Sequence, residues 1–275
     1  MAIHFSLPLI PFKNNRMQLL SLLALSLLAP SSFAQLKPQA SASGATNDRA
    51  IVTPRKVVIV RRAALIKDFP EKKTATVTYP VISGLKNPTV LKRIQSILQI
   101  KNVFDTSLAE YREDTWLEEF GYKVNYNKNS ILDITFTQSG SGAYPDTHTK
   151  HFALNLKNGS VIKASDVFVT DKLTILSAMV NRKLQNEIRK ILAELSASKR
   201  DPEDTRIAKE AGEVLEFKVE NLDDFSVGTK GITFLYDAGY PHVIQAFEPD
   251  GRYFFSYSEL KPYIKRDAML GQFVD

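Results

Sequence analysis

Gly121-Tyr-Lys-Val-Asn-Tyr-Asn-Lys-Asn-Ser-Ile-Leu-Asp-Ile-Thr-Phe136 is the stretch of this chain that decides its fold. Its first half alternates tyrosine and valine with polar residues, which is the period of a half-buried strand. Asn127–Ser130 supplies turn-forming residues, and Ile131–Phe136 is a second β-prone run. The stretch therefore predicts a β-hairpin.

Helical patterns lie on both sides of this hairpin. Asn87-Pro88 has the N-cap residue and first-position proline of a helix that continues through Leu98, and a second helix is predicted over Thr106–Glu118. A three- and four-residue apolar repeat runs from Leu173 to Leu195, and Asp201-Pro202 marks another helix start.

Strand patterns fill the rest of the chain and are not interleaved regularly with the helices. The further predicted elements are strands at Thr74–Tyr79, His151–Leu156, Asp224–Val227, Ile232–Tyr236, Val243–Phe247 and Tyr253–Tyr257, a brief return at Val161-Ile162, and a closing helix at Ser258–Ile264. Segregated helices and hairpins predict an α+β fold with mainly antiparallel sheets. We expect two subdomains, 74–168 and 169–275, each with a small sheet packed against helices.

The first 73 residues have a different character. Lys13 and Arg16, a leucine-rich run over Leu19–Leu28 and the small-residue site Ser32-Phe-Ala34 predict a secretory signal peptide over residues 1–34, cleaved after Ala34. The chain is then exported, to the periplasm or the cell exterior, and no transmembrane segment remains after cleavage. Residues 35–73 are expected to form a flexible basic arm.

Composition limits the classes of function. The chain has no cysteine, so no disulfide or thiol contributes to its fold or chemistry. Residues 35–74 hold nine basic and three acidic residues, whereas residues 75–275 hold 25 and 27. The basicity thus belongs to the arm, and nucleic acid is not an expected partner. Within the arm, Val57–Val60 is either an edge strand whose flanking charges prevent aggregation or part of a tether to anionic envelope surfaces.

Candidate site residues cluster beside two Tyr-Pro pairs. The segment Gly140–Gly159 contains Tyr144, Asp146, His148 and His151, and Tyr240-Pro-His242 lies in the last third. A binding surface is the preferred interpretation, because tyrosines at turns suit protein interfaces or stacking on sugars. In the other interpretation, these tyrosine rings pack over the ends of the sheets and have only a structural role.

Catalytic and cofactor chemistry has little support in the sequence. His148 and His151 are three apart in a segment that enters a strand, so they face opposite sides. No zinc motif, serine elbow or phosphate loop occurs, and no metal or cofactor is expected. The alternative is a cell-wall hydrolase with a site near the Tyr144–His151 loop and His242.

Several phrases together resemble a known domain pair of unknown function. The most distinctive are Tyr79-Pro-Val-Ile-Ser-Gly84, Phe152-Ala-Leu-Asn-Leu156, Ala164-Ser-Asp-Val-Phe168 and Tyr257-Ser-Glu-Leu-Lys-Pro262. Domains of this kind form the extracellular region of the lysozyme-sensing membrane anti-sigma factor and precede the catalytic domain of some secreted peptidoglycan deacetylases. The resemblance covers about residues 75–265. It implies an envelope domain that binds a lysozyme-like protein or a peptidoglycan fragment without being an enzyme itself.

Overall fold

The computed structural model describes residues 48–67, 69–142, 144–198, 202–240 and 242–274, without the side chains of residues 242 and 243. The predicted signal peptide and the first part of the predicted arm lie outside the described residues. Their predictions therefore stay predictions.

A five-stranded sheet forms the first half of the body. Its strands are β1 (Ile51–Val60), β2 (Thr74–Ser83), β3 (Leu117–Lys128), β4 (Ile131–Ser141) and β5 (Pro145–Asn155). They lie in chain order, and all neighbours are antiparallel except β2 and β3, which are parallel. The hairpin predicted for Gly121–Phe136 is confirmed as β3 and β4. Asn129 and Ser130 join these strands with positive φ angles of 55° and 61°, the conformation of the tight turn that matches the twist of paired strands.

The segment before His151 is strand rather than loop, which corrects the prediction. β4 continues to Ser141, and β5 begins at Pro145, so that Gly140 lies opposite Asp146 and Gln138 opposite His148. Periodicity failed here because the segment exposes most of its side chains and has no alternating apolar pattern. Its strand conformation comes from backbone pairing with β4.

Residues 51–60 belong to the sheet, so the prediction of a flexible arm is wrong for them. β1 pairs with β2 along its whole length, from Ile51 opposite Ser83 to Val60 opposite Thr74. Ile59 is fully buried, and the charged side chains of Arg55 and Lys56 remain exposed. This is the edge-strand alternative, in which backbone pairing and apolar burial hold the segment while charges occupy the solvent side.

Helices next to this sheet confirm one prediction and correct another. In α1 (Pro88–Ile97) the Asn87 side chain accepts hydrogen bonds from the amides of Thr89 and Val90, as the N-cap predicted. α2 (Ile100–Phe104) follows directly. The helix predicted over Thr106–Glu118 is wrong, since this segment has only one 3₁₀ turn at Glu110–Arg112 and then enters β3. Pairing of Leu117 with Gly140 overrides the helical pattern there.

The second half carries the longest helix and a small sheet. Its elements are α3 (Ala164–Val167), α4 (Leu173–Ala197), α5 (Pro202–Glu213), β6 (Phe225–Val227), β7 (Gly231–Leu235), β8 (Arg252–Ser256) and α6 (Tyr257–Leu260). The three strands are antiparallel in chain order. The strand predicted at Val243–Phe247 is wrong: His242–Phe247 is a 3₁₀ helix. Ile244 and Phe247 lie one 3₁₀ turn apart and pack in one cluster with Leu195 and Ala208.

Two large apolar cores result. One lies between the five-stranded sheet and the α1–α2 region and contains Phe120 and Phe136. The other surrounds α4 and β6–β8, and it also includes Tyr126, Ile131 and Ala153 of the five-stranded sheet. The fold is thus α+β, with helices and antiparallel pairs segregated as predicted. None of the helices in the described ranges is long and apolar enough to cross a lipid bilayer.

Candidate functional site

The tip of the β4–β5 hairpin brings together three of the predicted residues. Ser141 pairs with Pro145 across the tip, and the amide of Gly142 donates to the carbonyl of Tyr144 at 3.2 Å. The Tyr144 side chain is 62% exposed. Asp146 and His148 follow on β5, with 3.3 Å between Asp146 Oδ2 and His148 Nε2.

The only tryptophan of the chain lies against this hairpin. The Ser141 amide donates to the Trp116 carbonyl at 3.1 Å, and a Cβ placed on Gly140 would overlap that carbonyl oxygen. The Trp116 indole and the His148 imidazole are 5.3 Å apart between centroids, tilted by 38°. Glycine at position 140 is therefore what allows Trp116 to approach β4 and to meet His148.

Carboxylates also contact Trp116 and the end of β4. The Asp114 side chain accepts from the amide of Trp116 at 2.8 Å, and Glu118 accepts from the Ser141 hydroxyl. Two largely buried cations lie beside them: Lys72, whose Nζ is 3.7 Å from Glu118 Oε1, and Arg61, whose Nε donates to the Asp114 carbonyl at 2.5 Å. We call Asp114, Trp116, Glu118, Tyr144, Asp146 and His148 the hairpin-tip surface. It can offer ring faces and negative charge to a partner, and its histidine is too exposed to be shielded from water.

His151 lies on the opposite face of β5. Its Nε2 is 2.9 Å from Asp133 Oδ1, its Nδ1 is 3.4 Å from Asp224 Oδ1, and its side chain is only 4% exposed. Burial alone would lower the pKa of His151, but hydrogen bonds and negative charge from Asp133 and Asp224 outweigh it and raise that pKa to about 9. His151 is therefore a buried cation at neutral pH.

Asp133 is the centre of this buried network. It is fully buried on β4 and accepts from the Asn125 side chain at 2.7 Å, the Ser226 hydroxyl at 3.1 Å and the Val227 amide at 2.6 Å. The network thus joins β3, β4 and β5 to β6. Both ring nitrogens of His151 are occupied by carboxylates, so this histidine is placed as a structural cation rather than as a general base.

The remaining predicted residues lie in the C-terminal half. Tyr240 packs with the cluster of Ile244 and Phe247, its hydroxyl approaches the helical Gly212, and burial raises its pKa. Its amide donates to Glu248 at 3.3 Å. His242 begins the 3₁₀ helix, but its side chain lies outside the described residues. The contacts of Tyr240 among the described residues include none with the hairpin-tip surface.

Sequence reasoning missed Trp116, Glu118, Asp133 and Asp224 as partners of the predicted residues. Asp133 had a readable signal, because an acidic residue inside the apolar run Ile131–Phe136 is buried only when it is paired. Trp116 was missed because the prediction placed it in a helix over Thr106–Glu118, away from the hairpin. In the part of the chain that the structure describes, no three histidine, cysteine or carboxylate side chains are arranged to hold a metal ion.

Comparison with known proteins finds distant structural similarity. The solved structures that are similar to this chain include two described as DUF3298 family proteins. One is from Bacteroides fragilis NCTC 9343, with a TM-score of 0.49 and 12% identity over 84% of this chain and 99% of that one. The other is from Pseudomonas aeruginosa PAO1, with a TM-score of 0.47 and 13% identity over 79% of this chain and 94% of that one. No protein-family model matches the sequence, and no curated protein is similar to it.

Proposed function

We propose that this chain is a non-enzymatic binding protein of the cell envelope and that the hairpin-tip surface contacts a basic protein partner of the lysozyme type. The observation that carries the proposal is the grouping of exposed rings and carboxylates at the tip, formed by Tyr144, His148, Asp146 and the neighbouring Trp116 and Glu118. Aromatic residues ringed by polar groups are typical centres of protein interfaces.

Charge favours a protein partner over a sugar at this surface. The carboxylates of Asp114, Glu118 and Asp146 outnumber two largely buried cations beside them. Lys72 lies next to Glu118, and Arg61 donates to the carbonyl of Asp114. Negative potential at a small surface accelerates encounter with a cationic protein, and lysozymes are often cationic. A peptidoglycan fragment would use the ring faces but would draw less benefit from the carboxylates.

Binding of the mature chain, residues 35–275, to immobilised lysozyme and to purified peptidoglycan tests the proposal. We expect saturable binding to lysozyme that weakens as salt is raised, because the Debye length falls to about 3 Å at 1 M salt. Retention on peptidoglycan alone would replace the protein partner by a wall fragment. Retention on neither would overturn the proposal.

Paired variants locate the surface. Tyr144→Ala should weaken lysozyme binding by about tenfold or more, as expected for an aromatic anchor. The control is Phe254→Ala, an exposed ring on β8. The double change Glu118→Gln with Asp146→Asn should slow association, whereas Glu194→Gln on the exposed face of α4 should not. Equal effects of test and control variants would place binding elsewhere.

Export and contact with an anionic envelope surface are part of the same proposal. Cleavage after Ala34 would leave Gln35 as the first residue, which N-terminal sequencing of the protein from the periplasmic or secreted fraction would detect. The exposed Arg55 and Lys56 of β1 support a weak contact with anionic envelope surfaces. A full-length chain found only in the cytosol would contradict the localisation.

A further inference from the structure

The pairing between β2 and β3 ends early and leaves part of β2 without a neighbouring strand. The two strands pair only at Thr76 with Glu119 and at Val77 with Phe120, although β2 continues to Ser83. Beyond Val77, β3 pairs with β4 alone among the described strands. The sheet is therefore open along Tyr79–Ile82.

Two prolines show which backbone groups face this opening. Pro54 lies directly opposite Pro80 in the antiparallel β1–β2 ladder. Neither has an N–H, so this cannot be a pair that exchanges hydrogen bonds, and the alternation of the ladder makes Ile82 and Val52 the same kind of pair. The carbonyl of Pro80 and the N–H and carbonyl of Ile82 consequently point away from β1.

An independent contact agrees with this direction. The side-chain amide of Gln95, on α1, donates to the carbonyl of Ile82 at 2.8 Å. The ladder with β1 does not use the carbonyl of Pro80 or the N–H of Ile82. These two groups form an acceptor and a donor, separated by Val81, at the open edge of β2.

A cavity of about 310 Å³ lies beside them. We call it the β2 cleft; it is lined by Tyr79–Ile82 and by Gln95, Leu98, Gln99 and Ile100. Ile82, Leu98 and Ile100 are nearly buried and form an apolar wall, while Val81 is 39% exposed. Its volume is at the small end of ligand sites, which start near about 300 Å³, so it suits a single apolar side chain or a small molecule.

We propose that the β2 cleft binds an extended peptide segment of a partner, with one apolar side chain in the cavity. One residue of the segment would donate its N–H to the Pro80 carbonyl and accept from the Ile82 N–H. This is the pattern of a parallel strand and would continue the short β2–β3 ladder. The side chain of the adjacent ligand residue would then meet Leu98 and Ile100.

The backbone groups favour a peptide over a purely apolar ligand. A hydrocarbon in the cleft would offer no hydrogen bond to the Pro80 carbonyl or the Ile82 N–H, which is unfavourable for groups with so little access to water. A peptide supplies one donor and one acceptor at the spacing of a strand. The site is separate from the hairpin-tip surface, so it can exist whether or not the tip binds lysozyme.

The test is a titration of the folded chain with acetyl-Ala-Leu-Ala-amide, followed by the backbone amide signals in nuclear magnetic resonance. We expect saturable shifts at Val81, Ile82, Gln99 and Ile100, and slower hydrogen exchange at Ile82. Acetyl-Gly-Gly-Gly-amide should bind at least about tenfold more weakly, because it lacks the apolar side chain. No saturable shift at those positions up to about 10 mM peptide would overturn the proposal.

Two controls separate peptide pairing from nonspecific apolar contact. The backbone N-methylated analogue should also lose at least about tenfold in affinity, since it cannot donate to Pro80. Equal affinity of the methylated analogue would overturn strand addition. Val81→Lys should weaken binding, and Val219→Lys, at a valine of matching exposure on another element, should not. Equal effects of both variants would place the peptide outside the cleft.

Discussion

His148 and His151 are three residues apart on one strand and lie in opposite environments. His148 is 53% exposed, tilts against Trp116 and lies 3.3 Å from a carboxylate that is itself partly exposed. His151 is buried between two aspartates and holds β5 against the segment that leads into β6. The difference arises from the pleat of a strand, which sends neighbours at odd spacing to opposite faces.

The comparison shows that residue type and proximity in sequence do not define a site. The exposed pair of Asp146 and His148 gains little from its charges because water screens them. The buried group around His151 depends on complete pairing, since a lone charge there would be costly. Binding is therefore expected from the first face and stability from the second.

Removal of the buried acid should give the largest effect. Asp133→Ala leaves the His151 cation with only Asp224 and removes the acceptor of the Val227 amide. We expect the free energy of unfolding to fall by about 3–5 kcal/mol, measured by urea denaturation. The control, His148→Ala on the other face, should change it by no more than about 0.5 kcal/mol. Similar losses in both variants would contradict the distinction between the faces.

The two faces should also differ in how stability depends on pH, and this effect should be smaller than that of Asp133→Ala. The pKa of His151 is raised from 6.5 to about 9 in the folded chain, so its stabilising contribution is complete below about pH 6.5 and is lost as pH rises through 9. A pKa shift of this size corresponds to about 3 kcal/mol in the free energy of unfolding.

Denaturation series at several pH values measure this contribution. Wild-type protein should lose stability between about pH 6.5 and 9, and His151→Leu should lose that pH dependence while being less stable at neutral pH. His148→Ala should keep the wild-type profile. A flat wild-type profile across this window would show that His151 is not held as a cation.

The smallest expected effect on stability comes from alanine substitutions at two glycines of the hairpin tip, Gly140 and Gly142. A methyl group at Gly140 would overlap the backbone of Trp116, so Gly140→Ala should cost about 1–3 kcal/mol of stability and displace Trp116 from His148. At Gly142 the nearest atom to such a methyl group is 3.9 Å away, and Gly142→Ala should be nearly neutral. Tryptophan fluorescence and urea denaturation check both, and equal behaviour would contradict the close approach of Trp116.

Local signals explain which parts of the fold were predictable. The alternation before Asn127 and the turn-forming residues Asn127–Ser130 predicted the hairpin correctly, and Asn129 and Ser130 take the positive φ angles of its turn. The Asn87-Pro88 start predicted a helix correctly. Failures occurred at Thr106–Glu118 and Val243–Phe247, where apolar residues suited two periods. Contacts distant in sequence chose between those periods, Gly140 for Leu117 and the α4–α5 region for Ile244.

The candidate site was predictable only in part, for the same reason. Tyr144, Asp146 and His148 lie within five residues of one another, so their proximity at the tip follows from the chain itself. Trp116 meets His148 across 32 positions, and Asp224 meets His151 across 73. A pattern within a few residues cannot indicate contacts between residues so far apart in the sequence.

The amino-acid sequence by itself determined the α+β class, the hairpin turn at Asn127–Ser130, the helix cap at Asn87 and the opposite facing of His148 and His151, because each depends on neighbours within a few residues. Only the tertiary structure decided that residues 51–60 are an edge strand, that Asp133 and Asp224 enclose His151, and that β2 leaves β3 after two pairs to open a cleft. These features depend on which distant segments share a core. Burial and pairing across the sheet outweigh the weak local preferences of those segments.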